Sequence, residues 1–221
     1  DGRGRIRRAD TGEPRGPILM KLRYSDHTKP VNTEPPKVDI LMIQVRDTTH
    51  PWVEAAVQSV ADQSYPRLGL IEVDNRDRSL SIGAAWNAAV QASEAELVMP
   101  MGDDDILTMD LIASLVDQWQ YIREHAPNVV HINSMCTILD EDTGQSVHAS
   151  VQHTGMFLRQ FLLDYPFNET LGRNVGLEKI AAMANAQVEL GQPLSMGVRH
   201  HYGYIFRQHA FMASGRPMRR A

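Results

Sequence analysis

The chain has 221 residues, 43% hydrophobic and 22% charged, which suits one globular domain with a core of its own. Its single cysteine, Cys136, excludes an internal disulfide scaffold, and a net charge of −5 names no partner class. There is no apolar run of about 18 residues and no signal-peptide pattern, so a cytoplasmic protein without a membrane span is the expectation.

Residues 1–37 carry nine Lys/Arg against five Asp/Glu and are rich in Gly and Pro, so they read as a basic arm ending at Pro35-Pro36. VDILMIQV (38–45) is a short, mostly apolar, β-branched run, the pattern of a buried strand. Apolar residues at 53, 56, 57 and 60 predict a helix over 51–63. LGLIEVDN (68–75) reads as a second strand, the Ala-rich stretch 81–95 as a second helix, and ELVMPM (96–101) as a third strand running into three consecutive aspartates. Residues 109–125 have helical spacing, 129–139 read as one strand, 140–144 as a turn and 146–151 as the returning strand of a hairpin. Beyond that, 155–165 reads as a short helix, 176–191 as a helix with a glycine stop, and 194–211 as a strand followed by a loop or short helix. Residues 216–221 form a basic tail.

Strand and helix alternate through the first half, which predicts an α/β fold with a mostly parallel sheet flanked by helices. Ligands gather at the carboxyl ends of such strands. Three of those ends carry polar or acidic groups here: Arg46 and Asp47, Asp74 and Asn75, and Asp103, Asp104 and Asp105. Adjacent carboxylates repel, so a positive partner is expected among the last three. Carboxylates on a strand-end loop suit Mg²⁺ or Mn²⁺, which take oxygen ligands and leave positions for substrate phosphate. The alternative is an acidic cap on the helix that begins near Thr108.

Other chemistries lack their signatures. The sequence has no G-x-x-x-x-G-K-[ST], no G-x-G-x-x-G after the first strand, no G-x-S-x-G, and no C-x-x-C or H-E-x-x-H.

The run VDILMIQVRD, SVADQSYPRLGLIEVDN, SIGAAWNAAVQASEAELVMPMGDDDIL resembles the nucleotide-binding half of family 2 glycosyltransferases with the GT-A fold. YIFRQHAFMASG (204–215) resembles that family's C-terminal Y-x-x-R-x-H…S segment, so the resemblance spans residues 38–215. It implies a single GT-A domain that binds a nucleotide-diphosphate sugar, commonly a UDP-sugar, with Mn²⁺ or Mg²⁺. Asp74 would meet the base and Asp47 the nucleoside. Asp103 and Asp105 would hold the metal, with Asp104 on ribose, metal or donor sugar; the motif can also be aligned to start at Gly102. Arg207 and His209 would fold back to the diphosphate, and Asn87 would support helix and loop.

The family's general base, an E-D pair eight or nine residues after F-x-E, departs from pattern. Phe167-Asn168-Glu169 fits F-x-E, but the pair falls on Val175-Gly176, which cannot accept a proton. Glu178 is the nearest carboxylate, and Glu169 and Asp164 are alternatives. The missing pair leaves room for a degenerate nucleotide- or glycan-binding module. A nucleotidyltransferase is disfavoured because residues 46–50 contain no glycine. The acceptor would be a hydroxyl on a glycan, lipid phosphate, protein or modified nucleic-acid base.

Overall fold

A computed structural model describes residues 34–134, 136–140, 144–149, 155–170, 178–179, 182–183, 187, 193–198 and 203–208. The strands are β1 (Val38–Gln44), β2 (Leu68–Asp74), β3 (Leu97–Gly102), β4 (Ile106–Leu107), β5 (His131–Ser134), β6 (Cys136–Asp140), β7 (Ser146–Ala149), β8 (Gly155–Leu158), β9 (Ser195–Val198) and β10 (Tyr204–Gln208). The helices are α1 (Pro51–Ala61), α2 (Ile82–Ala92), α3 (Leu111–His125) and α4 (Arg159–Asp164). Residues 178–179, 182–183 and 187, within the predicted 176–191 helix, are helical.

Six strands form the main sheet in the order β2-β1-β3-β8-β5-β9. Only β8 runs against its neighbours; the β2-β1, β1-β3 and β5-β9 pairs are parallel. The fold is thus α/β with a mostly parallel sheet. β1 lies between β2 and β3, and all seven of its residues are buried, which is why its sequence reads as a nearly continuous apolar run. β2, at the sheet edge, is only partly buried. Right-handed crossovers put α1 and α2 on opposite faces. α1 reaches α3 through Gln63, and α2 packs against α4. Between them lies one core that includes Ile40, Leu41, Met42, Met99, Leu111, Leu115 and Phe157.

Three sequence expectations change. The predicted strand 129–139 is two strands: β5 stays in the main sheet, whereas β6 joins a second sheet of order β4-β10-β6-β7. An unbroken apolar run does not reveal where a strand changes sheet. The segment 155–165 begins as β8, whose buried GMFL is covered on both sides by β3 and β5, and only then turns into α4. Within 194–211, residues 204–208 are strand rather than loop or helix, because β10 finds partners in β4 and β6. The hairpin of β6 with β7 is as expected.

Helix starts are locally encoded. His50 caps α1 ahead of Pro51, and the Ser81 hydroxyl accepts from Ala84 N at 3.1 Å to start α2. The Asp110 side chain makes no capping hydrogen bond to α3. Gln63, just past α1, does so instead: its Oε1 accepts from Ile112 N at 3.1 Å, and its Nε2 donates to Thr108 O at 2.7 Å. Among the described residues no helix is long and apolar enough to cross a membrane.

Gly83, near the start of α2, lies against the loop at residues 166–169. A Cβ there would overlap the Asn168 carbonyl, which is backbone and cannot rotate aside. Gly83→Ala is therefore expected to lower stability by about 1–3 kcal/mol, despite alanine's better helix propensity. Urea denaturation of the two proteins checks this.

Candidate active site

Parallel pairing brings the three polar strand ends to one edge. Gln44 of β1 sits opposite Asp74 of β2, and Ile43 sits opposite Gly102 of β3. The chain beyond β1 therefore lies beside the aspartates that follow β3. Asp103 is buried there, at 1% exposure. Its Oδ2 accepts from Val45 N at 2.8 Å and from Arg46 N at 2.9 Å, and its Oδ1 accepts from the Arg46 guanidinium. The other arm of that guanidinium donates to Asp104 Oδ2 at 2.8 Å. Arg46 is thus the positive partner expected among the aspartates. Its charge also lies 5.5 Å from the Trp52 ring centroid, a cation–π contact. Hydrogen bonds to an ionised carboxylate contribute about 1.5–3 kcal/mol each, so Asp103 fastens the end of β1 to the end of β3.

Asp105 faces the second sheet. Its Oδ2 accepts from Gly102 N at 3.0 Å and from the Tyr204 hydroxyl at 2.6 Å. Burial, followed by the neighbouring Asp105 charge, pushes the Tyr204 phenol well above its ordinary range, so Tyr204 is the donor in that bond. β10 carries Tyr204 and pairs with β4 directly after the aspartates. Arg207 lies three residues further along β10, opposite Leu139. The side chain of Arg207, and all of His209, Val175 and Gly176, lie outside the described residues.

Asp47 and Asp74 are exposed at the same edge. Asp47 Oδ1 accepts from Thr49 N at 2.9 Å and Thr49 Oγ1 at 2.8 Å, and these bonds hold its carboxyl below the usual carboxylate range. Arg76 grips both oxygens of Asp74, through Nε at 2.8 Å and Nη2 at 2.6 Å, and its side-chain and backbone bonds hold that carboxyl down at about 2. Arg76 also acts on Asp47 through its charge. The buried Asn75 closes the following loop by bonds to Leu80 N and Leu80 O, both at 3.0 Å.

Glu169 and Glu178 are both exposed. Asn87, in the middle of α2, holds the loop that carries Glu169. Its Nδ2 donates to Phe167 O at 3.0 Å and Glu169 Oε1 at 2.9 Å, and its Oδ1 accepts from Phe167 N at 2.8 Å. From the other side the buried Lys179 donates to Tyr165 O at 2.7 Å and Pro166 O at 2.6 Å.

The donors at the aspartate loop suit a hard divalent cation, because they are all carboxylate oxygens. Among the described residues no group of three or more His, Cys, Asp or Glu side chains is arranged to hold one. Asp103, expected to hold the metal, here accepts from three donors of residues 45 and 46. Asp105 is likewise buried and its Oδ2 accepts from two donors, which leaves Asp104 as the most accessible of the three carboxylates. A Cβ at Gly102 would lie 2.7 Å from Asp105 Oδ2 and 3.0 Å from Asp104 Oδ1, so the bare glycine lets both carboxylates fold back over the strand end. Mg²⁺ sites often use only one or two carboxylates, with water and substrate phosphate completing the shell.

Sequence reasoning placed Arg46 at a strand end without giving it a role, and it left Tyr204 as the first letter of a motif. The available signal was the charge argument for the one and Y-x-x-R-x-H for the other.

No protein-family model matches this sequence, and no curated protein matches it. Among solved structures, the chain is similar to S. aureus TarS 1-349 in complex with UDP, with a TM-score of 0.56 and 13% identity over 79% of this chain and 61% of that one. It is likewise similar to TarS 1-349 in complex with UDP-GlcNAc, with a TM-score of 0.57 and 13% identity over 78% of this chain and 58% of that one. The chain spans about three fifths of the length of these structures. The likeness concerns the fold, which is GT-A-like.

Burial lowers the Lys179 ammonium to about 8, with the Glu178 charge opposing. A free lysine titrates near 10.4, so between about pH 8 and 10.4 the unfolded chain binds more protons than the folded one, and stability rises with pH. The penalty is fully present below that window and is relieved as pH climbs through it. Thermal melts from pH 7 to about 10.4 are expected to show this rise in the native protein and lose it in Lys179→Met.

Proposed function

We propose that the protein is a family 2-type glycosyltransferase that moves a sugar from a UDP-sugar to a hydroxyl acceptor, with inversion. The observation that carries this reading is the convergence of Asp47, Asp74, Asp103, Asp104 and Asp105 on one edge of a GT-A-like sheet. Structures of that fold that resemble this chain hold UDP and UDP-GlcNAc. Asp74 and Arg76 would read the base and Asp47 would meet the nucleoside. Asp104 and Asp105 would hold Mn²⁺ or Mg²⁺, which neutralises charge on a departing diphosphate. Arg207 and His209 would complete the diphosphate site.

In the transfer, a carboxylate takes the proton of the acceptor hydroxyl. The freed oxygen forms a bond to the anomeric carbon as the bond from that carbon to the diphosphate oxygen breaks. The electron pair leaves with the diphosphate. Glu178 would be the base, with Glu169 as the alternative. Glu169 is held by Asn87, which fixes its position and leaves its second oxygen free of that bond.

Thermal-shift titration with UDP and UDP-sugars, with and without Mn²⁺, tests the donor site. The melting point is expected to rise most with both present, because ligands that bind only the native state stabilise it. Asp104→Asn should remain folded, lose the Mn²⁺-dependent part of that rise, and slow UDP-sugar hydrolysis by about 100-fold or more. Stabilisation by UDP without any turnover would leave a binding module.

The base is assigned by comparing Glu178→Gln with Glu169→Gln. The true base variant is expected to lose about 100-fold in kcat and the acidic limb of its pH profile, with donor KM little changed.

A further inference from the structure

The guanidinium of Arg46 occupies the place where a cation is wanted. It bridges two of the three aspartates, and its two bonds differ in setting. Asp103 is buried, and Val45 N and Arg46 N hold it independently of the guanidinium. The Asp104 side chain is 16% exposed and that of Arg46 26%, so the bond between them is partly buried but more open to solvent than the bond to Asp103, whose side chain is 2% exposed. Arg46 also has a partner apart from the aspartates, the Trp52 ring face 5.5 Å from its charge. A planar guanidinium fork matches phosphate as well as carboxylate.

We propose that Arg46 is the exchangeable counter-ion of the aspartate loop. It neutralises Asp103 and Asp104 in the donor-free protein, and a divalent cation binds at Asp104 only as Arg46 releases that carboxylate and turns to the donor diphosphate. A dication and a guanidinium on one carboxylate repel each other, so cation binding alone is weak. The diphosphate gives Arg46 a new anionic partner and gives the cation further oxygen ligands. Cation and nucleotide therefore assist one another, and the assistance is reciprocal. The diphosphate half of this proposal rests on the nucleotide-sugar reading, whereas the competition between Arg46 and the cation does not.

Mn²⁺ titration followed by electron paramagnetic resonance tests it, on the full chain as native protein, Arg46→Gln and Arg46→Lys, each with and without UDP. Circular dichroism establishes that each variant is folded. Without UDP, Arg46→Gln is expected to bind Mn²⁺ about tenfold more tightly than the native protein, within the usual range of coupling between sites. Arg46→Lys keeps the charge but cannot bridge two carboxylates with a planar fork, so it should gain about threefold. UDP should tighten Mn²⁺ binding about tenfold in the native protein and much less in Arg46→Gln.

Equal Mn²⁺ affinities of native protein and Arg46→Gln without UDP overturn the proposal, as does an absence of Mn²⁺ binding in both. A gain in Arg46→Lys as large as that in Arg46→Gln also overturns it, because a retained positive charge should still compete with the cation. If Arg46→Gln fails to fold, Arg46→Lys against native protein decides by the same criterion. UDP failing to bind any of the three sinks the nucleotide-sugar reading, while the Mn²⁺ comparison without UDP still decides the counter-ion.

Discussion

Three consecutive carboxylates at the end of a buried strand need positive charge and hydrogen-bond donors close by, and meeting that need organises this end of the molecule. The donors are Val45 N, Arg46 N and the Arg46 guanidinium, all from the chain just beyond the neighbouring strand. Asp103 is therefore a fastener between β1 and β3 as much as a functional group. Asp104 is more exposed than Asp103. The same electrostatic need that shapes the loop sets the terms on which a cation can enter it.

The residues that carried the family resemblance turn out to include much of the scaffold around that loop. Ser59 Oγ accepts from Leu107 N at 3.1 Å, Gln63 donates to Thr108 O, and the Tyr65 hydroxyl donates to Pro36 O. The S-x-x-x-Q-S-Y pattern at the end of α1 thus pins the chain just after the aspartates and ties down the segment just before β1. Tyr204, first residue of the Y-x-x-R-x-H pattern, closes the loop from the second sheet through Asp105. A motif can specify a site by holding its backbone, with no contact to substrate.

The loop that carries Glu169 is built differently. It has no secondary structure at residues 166–168, and its position comes from Gly83 and Asn87 on α2 and from the buried Lys179. Burying that ammonium opposes its charge, yet two backbone carbonyls receive it. A strap held by polar contacts on both sides keeps a carboxylate in a defined place without a strand or helix beneath it.

Periodicity and strand-helix alternation were enough to read the parallel sheet, the order of its first three strands along the chain, and the meeting of Asp47, Asp74 and residues 103–105 at one edge. Parallel topology forces that meeting whatever the side-chain details. The local pattern could not show that residues 129–139 pass from one sheet to another, or that residues 204–208 are a strand, because both depend on partners far away in the chain. Nor could it divide the labour among three aspartates that are identical as letters. Only the register of β1 against β3 decides that Asp103 is clamped by residues 45 and 46, and only the pairing of β10 with β4 decides that Asp105 meets Tyr204. The sequence by itself determined that charge would gather at this edge and need a cation; the tertiary structure decided that the cation is Arg46, since a guanidinium's partners are set by distance in space and not by spacing along the chain.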